Sequence, residues 1–394
     1  MKEEESVDGG RIEIIGNLID LASFKNVPQL EVEVCEDALK LTRKWIVRGV
    51  VRSCTIEVRR YVDAEKFALM LGLYRADGLK KYERVRFTNK DPLLHRWFIE
   101  PLKEMGVRKF LAYCYYCYCE KCGQEKLKNA IRKFEEITGV KVTKKYRSGV
   151  AHNPILVTDI NSKPLAIFIK HAERTLRKEI VRGNVPRSVA RKYIRGVLEG
   201  DGSIAISIEE EKVDGMHFEI FESDEGAIKD LKIIIKKVLG IDLKIYPGDK
   251  QESSINLYEL LDLLLSDVVP ARFIHKVKQR LLISFRKKGV PWVLIMLAKS
   301  FKRRWFTSTE ASHILHKARH HTLELLKKLE EMEYLMSMKT KIKSRPRTVG
   351  TPVRRIFKIS EKGRKIIEIL SSLLHPLFPT LNFLLSSLSS LITM

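Results

Sequence analysis

Two nine-residue stretches constrain this chain most: MLGLYRADG at 70–78 and IRGVLEGDG at 194–202. They align without a gap, and each has Gly at its third place, an apolar residue at its fourth and Asp-Gly at its end. A glycine inside a helix costs roughly 1 kcal/mol relative to alanine, and an acid at a helix C-terminus faces the negative end of the helix dipole. Residues this unfavourable for an isolated helix need a reason in the tertiary structure.

The pattern around the two stretches is also duplicated. Each stretch ends a predicted helix, 62–78 and 185–202, and the order helix, strands, helix, strands, helix follows twice. Small residues lie four apart, on one helix face, in each stretch: Gly72 with Ala76, and Gly196 with Gly200. Small residues at this spacing let two helix backbones approach closely. Pairing of the two helices would place Asp77 beside Asp201.

Two adjacent carboxylates at helix C-termini suit a divalent cation. They repel one another unless a cation lies between them, and the helix ends add further negative potential. Mg²⁺, or Mn²⁺ in its place, takes one or two carboxylates and completes its shell with water and phosphate oxygens. Such a metal can activate water for attack on a phosphodiester.

The paired stretches resemble the motif of the LAGLIDADG homing endonuclease family, which is named after its nine-residue consensus. The resemblance spans about 62–288 and includes the stretch RFTNKDPLLHRWF at 86–98. It implies an α+β fold in which two αββαββα halves, related by pseudo-two-fold symmetry in a monomer, lay saddle-shaped antiparallel sheets over double-stranded DNA. It also implies that Asp77 and Asp201 bind the metal ions and that each acts on one DNA strand.

The chain departs from the family pattern at two places. The sixth motif place is usually acidic, which Glu199 fits and Arg75 does not. After Asp77 there is room for only one short hairpin, which predicts less strand surface for DNA in the first half. Expected water-orienting residues are Thr88 in the first half and Lys244 or Arg272 in the second. The expected DNA contacts of the two halves are Lys80, Lys81, Arg84, Arg86 and Ser203.

The C-terminal part is strongly basic. The formal net charge is +24, and residues 291–370 carry 19 Lys and Arg against 7 Asp and Glu. Helix patterns at 291–305, 308–316 and 318–335, two basic strands and a closing helix resemble a winged-helix domain, whose third helix enters the major groove. The DNA contacts expected here are Arg319, Lys341, Lys343, Arg345 and Arg347, with Lys339, Arg354, Arg355 and Lys358 also in the wing. A solvated charged hairpin or a protein-interaction domain is the alternative interpretation.

The sequence divides into five predicted segments. They are an N-terminal extension without an assigned role (1–61), a first LAGLIDADG half (62–184), a second half (185–288), the winged helix (289–370) and an apolar tail rich in Ser and Leu (371–394). Within the extension, 35–49 has a pattern compatible with a helix and 51–60 alternates like a strand.

Four cysteines lie within nine residues, in CYYCYCEKC: Cys114, Cys117, Cys119 and Cys122. A buried aromatic-rich strand is favoured, with a zinc site or a disulfide as alternatives, because four thiols on one strand do not face the same way. The N-terminus lacks an apolar signal core and no apolar run reaches 18 residues, so we expect a cytoplasmic chain with no membrane partner. Only four glutamines are present, which favours a heat-adapted, archaeal-like source.

The resemblance implies a site-specific endodeoxyribonuclease that depends on Mg²⁺ or Mn²⁺. It would hydrolyse one phosphodiester on each strand and leave a staggered double-strand break. A regulator that binds DNA without cutting it is one alternative. An RNA maturase that binds intron RNA and assists splicing is another.

Overall fold

The structure is a computed structural model. It describes residues 11–13, 24, 27, 30–79, 83–117, 124–148, 153–209, 212–246, 250–287, 289–341 and 353–374. The chain forms two compact units. The first takes in the described residues up to Ser203, together with 218–253 and 267–271, and the second takes in 204–217, 254–266 and those from Arg272 onwards.

The N-terminal segment consists of strands. In chain order they are β1 (Arg11–Glu13), β2 (Glu31–Val34), β3 (Ala38–Val47), β4 (Val50–Arg59) and β5 (Tyr61–Asp63). Strands β2, β3 and β4 form an antiparallel sheet in that order. The helix considered for 35–49 is therefore wrong, because ten consecutive residues of β3 pair with β4 from Ala38↔Arg59 to Val47↔Val50.

The first half begins with a central helix. Its elements are α1 (Ala64–Asp77), β6 (Val85–Asn89), α2 (Pro92–Glu104), β7 (Leu111–Cys117), α3 (Gln124–Thr138), β8 (Val142–Ser148), β9 (Ile155–Ile160) and α4 (Lys163–Arg182). Asp63 caps α1 by accepting from the backbone N–H of Lys66. Helix α1 is apolar on most of its surface and has eight buried residues, as expected for a helix enclosed by others.

The second half repeats this plan. Its elements are α5 (Arg187–Asp201), β10 (Gly202–Glu209), β11 (Lys212–Phe221), α6 (Glu225–Leu239), β12 (Lys244–Ile245), β13 (Lys250–Ser254) and α7 (Leu257–Leu265). Strand β13 ends at Ser254, and a capping box of Asn256 and Glu259 starts α7.

Strand order shows that the two halves share one topology. The sheets run β6-β9-β7-β8 and β10-β11-β13-β12. In each, the last strand of the half lies between the strand before the second helix and the strand after it. The first half differs in two ways. Among the described residues only one strand, β6, lies between α1 and α2, where the predicted αββ order and the second half have two. The first half also has an insertion, since α3 and β8 follow β7 and β8 pairs with β7 in parallel. The fold class predicted from sequence, α+β with duplicated halves, is confirmed, and the inserted strand adds to the surface of the first sheet.

A winged-helix order of elements ends the described chain. After a 3₁₀ turn at Ala271–Phe273 come α8 (Ile274–Arg286), α9 (Val290–Phe301), β14 (Phe306–Thr307), α10 (Ser308–Leu315), α11 (Arg319–Glu331), β15 (Leu335–Lys341), β16 (Val353–Ile359) and α12 (Glu361–Leu374). The three strands form the sheet β14-β16-β15. Its core includes Phe301 stacked on Phe306 at 4.3 Å. No helix in the described part of the chain has the length and apolarity that crossing a membrane requires.

Candidate functional site

Helices α1 and α5 pack backbone against backbone at two glycines. A β-carbon built on Gly72 would lie 2.2 Å from the carbonyl oxygen of Tyr193. A β-carbon on Gly196 would lie 2.3 Å from the carbonyl oxygen of Leu69 and 2.9 Å from the Cα of Gly72. Any side chain at either place would force the two helices apart. The third place of each motif is thus the point where the helices touch.

The same close approach continues to the C-terminal ends of the two helices. A β-carbon on Gly200 would meet the Cβ of Ala76 at 2.2 Å and the Oδ2 of Asp77 at 3.1 Å. The carboxylate of Asp77 therefore lies against the last turn of α5, one residue before Asp201. Both aspartates are partly exposed. The structure brings together the two helix ends that the sequence predicted to meet.

The glycines at the ninth motif place do not act as left-handed helix caps. Gly78 has φ −82° and Gly202 has φ −94°, so both are extended and lead from helix towards strand. A β-carbon on Gly78 would lie 2.2 Å from the carbonyl oxygen of Tyr74, and one on Gly202 would lie 2.6 Å from the Cα of Leu198. Both positions need glycine because the chain folds back against the residue four places earlier.

Asp77 is held by an amide that the motif does not contain. Asn89, the last residue of β6, donates from Nδ2 to Asp77 Oδ2 at 2.7 Å. Its own Oδ1 accepts from the backbone N–H of Asp91 at 2.9 Å, which fixes the rotation of the amide. Sequence reasoning placed the orienting residue at Thr88, one position earlier. Since neighbouring residues of a strand face opposite ways, Thr88 and Asn89 point to different sides of the sheet.

A buried histidine, His95, hydrogen-bonds to the backbone of Asn89. The carbonyl oxygen of Asn89 lies 3.0 Å from Nε2 of His95, and Nδ1 of His95 lies 2.8 Å from Oγ1 of Thr158. Because a carbonyl only accepts, Nε2 carries the proton and Nδ1 accepts from the threonine hydroxyl. Burial lowers the pKa of His95 to about 4, so the ring is neutral at pH 7.

The residues at the sixth motif place, Arg75 and Glu199, contact residues that are distant in sequence. Arg75 donates from Nε to Glu222 Oε2 at 2.7 Å, with both side chains nearly buried. Glu199 is 2% exposed and accepts from the backbone N–H of Ala271 at 3.1 Å. Arg195 lies 3.6 Å from the same Glu199 oxygen. The arginine that departs from the family pattern is thus matched by an acid 147 residues later, which no local signal in the sequence reveals.

The solvent-facing side of the first sheet combines arginines with tyrosines. Arg86 and Arg84 approach Asp159 Oδ2 at 2.8 Å and 3.3 Å, and the hydroxyl of Tyr113 donates to the same oxygen at 3.2 Å. The Tyr113 ring lies 5.5 Å from that of Tyr146 and 5.5 Å from the Arg86 guanidinium. The two arginines predicted to contact DNA are therefore fixed on this face by a buried carboxylate.

The remaining predicted site residues of the two halves lie on separate elements. Ser203 lies half-buried on β10, two residues after Asp201. Lys244 is exposed on β12, and Arg272 is exposed in the 3₁₀ turn with its guanidinium 4.9 Å from the ring of Phe273. Their role in orienting water stays a prediction. Lys80 and Lys81 lie outside the described residues.

The winged helix presents its third helix to solvent. Thr307 and Glu310 form a capping box that starts α10, and Arg319 is the exposed first residue of α11. Lys327 and Lys328 are exposed further along α11. Lys341 ends β15, and the wing residues Lys343, Arg345 and Arg347 lie outside the described part of the chain.

The cysteine-rich stretch is described only in part. Cys114 lies buried on β7, as expected for a packed strand, and burial raises the pKa of its thiol to about 11. Cys117 ends β7, whereas Cys119 and Cys122 lie outside the described residues. Among the residues that are described, no cluster of three or more His, Cys, Asp or Glu side chains is arranged to hold a metal ion. The zinc and disulfide alternatives stay predictions.

Comparison with known proteins yields structural likeness only. No protein-family model matches the chain, and no curated protein matches it. The crystal structure of the N-terminal LAGLIDADG domain of DUF199/WhiA is similar at 14% identity and TM-score 0.32, covering 53% of this chain and 86% of that one. The crystal structure of full-length DUF199/WhiA from Thermatoga maritima is similar at 11% identity and TM-score 0.34, covering 68% of this chain and 92% of that one. Likeness at this level has no bearing on function.

Proposed function

We propose that this protein binds double-stranded DNA and cleaves it at the paired ends of α1 and α5. The observation that carries the proposal is the approach of Asp77 Oδ2 to the last turn of α5, 3.1 Å from the position of a Gly200 β-carbon. One motif aspartate at each of two adjoining helix ends, in duplicated halves, suits a reaction that treats two DNA strands alike. The arginines on the first sheet and the net charge of +24 favour a polyanionic partner.

The donor set fits Mg²⁺ or Mn²⁺. Asp77 and Asp201 would hold the ion, and with only two carboxylates the shell would be completed by water and phosphate oxygens, as Mg²⁺ usually prefers. When bound, the ion supplies Lewis-acid stabilisation of the phosphoryl group and lowers the pKa of water.

The chain's own residues orient the site. The Asn89 amide donates to one oxygen of Asp77 and so restrains the rotation of the carboxylate. Because residue 200 is glycine, no side chain of α5 displaces the carboxylate of Asp77 at this point. The Arg75–Glu222 ion pair ties the last turn of α1 to the end of β11. Together these contacts fix Asp77 before any substrate arrives.

Cleavage of a randomised duplex library with Mg²⁺ tests the proposal. We expect Asp77→Asn and Asp201→Asn each to lower the cleavage rate about 100-fold or more, because losing a metal ligand removes several kcal/mol of transition-state stabilisation. Binding to duplex DNA in the presence of EDTA should persist in both variants. Asp242→Asn, an exposed substitution of the same kind on another surface, is the matched control. Wild-type cleavage by the two motif variants would disprove the mechanism.

A regulator that binds DNA without cutting it is the second candidate. It is favoured by the hydrogen bond that already occupies Asp77 Oδ2 and by the engagement of Arg75 and Glu199, the sixth-place residues, in ion pairs and hydrogen bonds within the protein. On this alternative the same library would yield bound sequences and no product that depends on Mg²⁺. The two aspartate variants would then bind those sequences as tightly as the wild type.

A further inference from the structure

The N-terminal segment, for which sequence provided no role, contains a projecting β-hairpin. Strands β3 and β4 are ten residues each and are joined by Arg48 and Gly49, whose φ values of 50° and 76° are those of a tight hairpin turn. Strand β2 pairs with β3 only from Leu39 to Thr42. In the described part of the chain, residues 43–54 therefore extend as a two-stranded ribbon, about 17 Å long at 3.4 Å per residue.

One side of this ribbon combines arginines with a tryptophan. Residues opposite one another in the register share a face, and the pairs are Arg43↔Cys54, Trp45↔Arg52 and Val47↔Val50. The guanidinium of Arg43 lies 5.0 Å from the ring of Trp45. The tryptophan thus has one arginine beside it on its own strand and another opposite it.

The ribbon is basic and exposed. Residues 43–54 carry four cations and no acid: Arg43, Lys44, Arg48 and Arg52. Lys44 pairs with Glu31 of β2 at 2.8 Å, so the charge available to a ligand comes from the three arginines. Near the tip, the apolar residues Ile46, Val50 and Val51 are 72%, 60% and 64% exposed. Strand β4 is also an edge of its sheet, and exposed apolar edge strands invite unwanted pairing. An exposed element of this kind, outside the core, calls for a binding role to explain it.

We propose that residues 43–54 form an arm that enters the major groove of duplex DNA. The major groove of B-DNA, about 12 Å wide, admits a two-stranded ribbon, whereas the deep, narrow major groove of an RNA helix does not. Arg43, Arg48 and Arg52 then neutralise phosphates on either side of the groove, and the apolar tip contacts thymine methyl groups. The arm rests on the proposed binding of duplex DNA and is independent of cleavage.

Cys54 offers a direct test, because it is exposed on the arginine face of the ribbon. An iron-EDTA reagent attached to Cys54 of the full-length chain should cut a bound duplex at a few adjacent nucleotides on both strands. Cys54→Ser, treated with the same reagent, reveals cutting from any other cysteine. If the labelled wild type cuts only at sites where Cys54→Ser also cuts, the proposed arm is wrong.

Charge variants provide the second measurement. Replacing Arg43 and Arg52 with Ala should weaken binding to a random duplex at least tenfold and reduce the slope of log K against log salt by about 1.8, since each phosphate contact contributes about 0.9. Replacing Lys128 and Lys133, exposed on α3, removes the same charge from another surface and controls for net charge. Thermal melting verifies that both variants fold.

The two proposals fail in different ways. If the wild-type chain binds duplex DNA but the Arg43 and Arg52 variant keeps the wild-type slope, the arm is wrong and the hairpin belongs to another partner. If the wild-type chain binds no duplex DNA under any salt condition, the proposed function fails and the arm fails with it.

Discussion

At the residue scale, Asp77 depends on side chains outside its motif. Thr158 donates to His95, His95 donates to the backbone of Asn89, and the Asn89 amide donates to Asp77. Each step requires a defined donor and acceptor, so His95 must remain neutral with its proton on Nε2. The depressed pKa of His95, caused first by burial, secures this state at neutral pH.

This burial predicts a dependence of stability on pH. The pKa of His95 is about 4 in the folded chain against an ordinary value of 6.5. Between these values the unfolded chain binds a proton at His95 that the folded chain does not. The contribution of the neutral His95 ring to the free energy of unfolding is therefore complete above pH 6.5 and is lost as the pH falls towards 4. The loss amounts to about 3 kcal/mol, at 1.36 kcal/mol per pKa unit.

Urea unfolding of the wild type and of His95→Gln at several pH values between 7 and 4 measures the effect. Because carboxylates titrate in both proteins, the difference between the two curves isolates His95. We expect the wild type to lose about 3 kcal/mol more than the variant over this range. Parallel curves would show that His95 is not buried in the neutral form.

At the scale of elements, α1 and α5 owe their contact to glycine. The carbonyl of Leu69 and the amide nitrogen of Leu73 lie 2.3 Å and 2.7 Å from the β-carbon position of Gly196. Neither backbone group can move without displacing α1, unlike the end of a flexible side chain. Adding a single methyl group at Gly196 would therefore push α1 and α5 apart.

Gly196→Ala should lower the free energy of unfolding by about 3 kcal/mol, the upper range for overpacking, even though alanine is the better helix former. Gly226→Ala is the control, since its β-carbon would approach only the flexible carboxylate of Asp224, at 3.3 Å, within a helix as well. That variant should stay within about 0.5 kcal/mol of the wild type or gain stability. Urea titration compares the two variants. Equal losses of unfolding free energy would contradict the close packing of α1 against α5 at Gly196.

The elements that sequence could predict are those with local signals. The two motif helices follow from glycine spacing, and the winged-helix order follows from alternating helix and strand patterns. The strand β3 was open to misassignment because ALKLTRKWIV has apolar residues compatible with either period, and only its pairing with β4 decides. The stretch VKVTKKY at 140–146 does predict the strand β8, but its parallel pairing with β7 was not predictable, because parallel pairing leaves no turn signature.

The partners of the motif residues were beyond prediction for a similar reason. Glu222 meets Arg75, and Ala271 meets Glu199, across 147 and 72 residues of chain. Asn89 is closer to Asp77 in sequence, only 12 residues away, but nothing in a strand end identifies an amide that turns towards a helix terminus. A site assembled from separate elements is specified by the fold, so its motif residues are visible in sequence and its supporting residues are not.

At the scale of the whole molecule, charge is the dominant property. Residues 291–370, with 19 Lys and Arg against 7 Asp and Glu, carry half of the net charge of +24, and the N-terminal ribbon and the first sheet add further arginines. Each of these elements can carry part of the contact with a polyanion. Phosphate contacts release counterions from DNA, and their number sets the salt dependence of binding. A chain with several basic elements is thus expected to show a steep dependence.

We predict that affinity for a random duplex falls about 10³- to 10⁵-fold between roughly 50 and 200 mM salt, as six to ten phosphate contacts require. Fluorescence anisotropy with a labelled duplex measures this fall. Arg319→Ala and Lys327→Ala, both on the exposed face of α11, should together reduce the slope by about 1.8, whereas Asp242→Asn should leave it unchanged. A slope that is shallow in the wild type would mean that the positive charge serves something other than phosphate binding. A steep slope that the α11 variant leaves intact would place the contacts on other elements and remove the winged helix from the DNA interface.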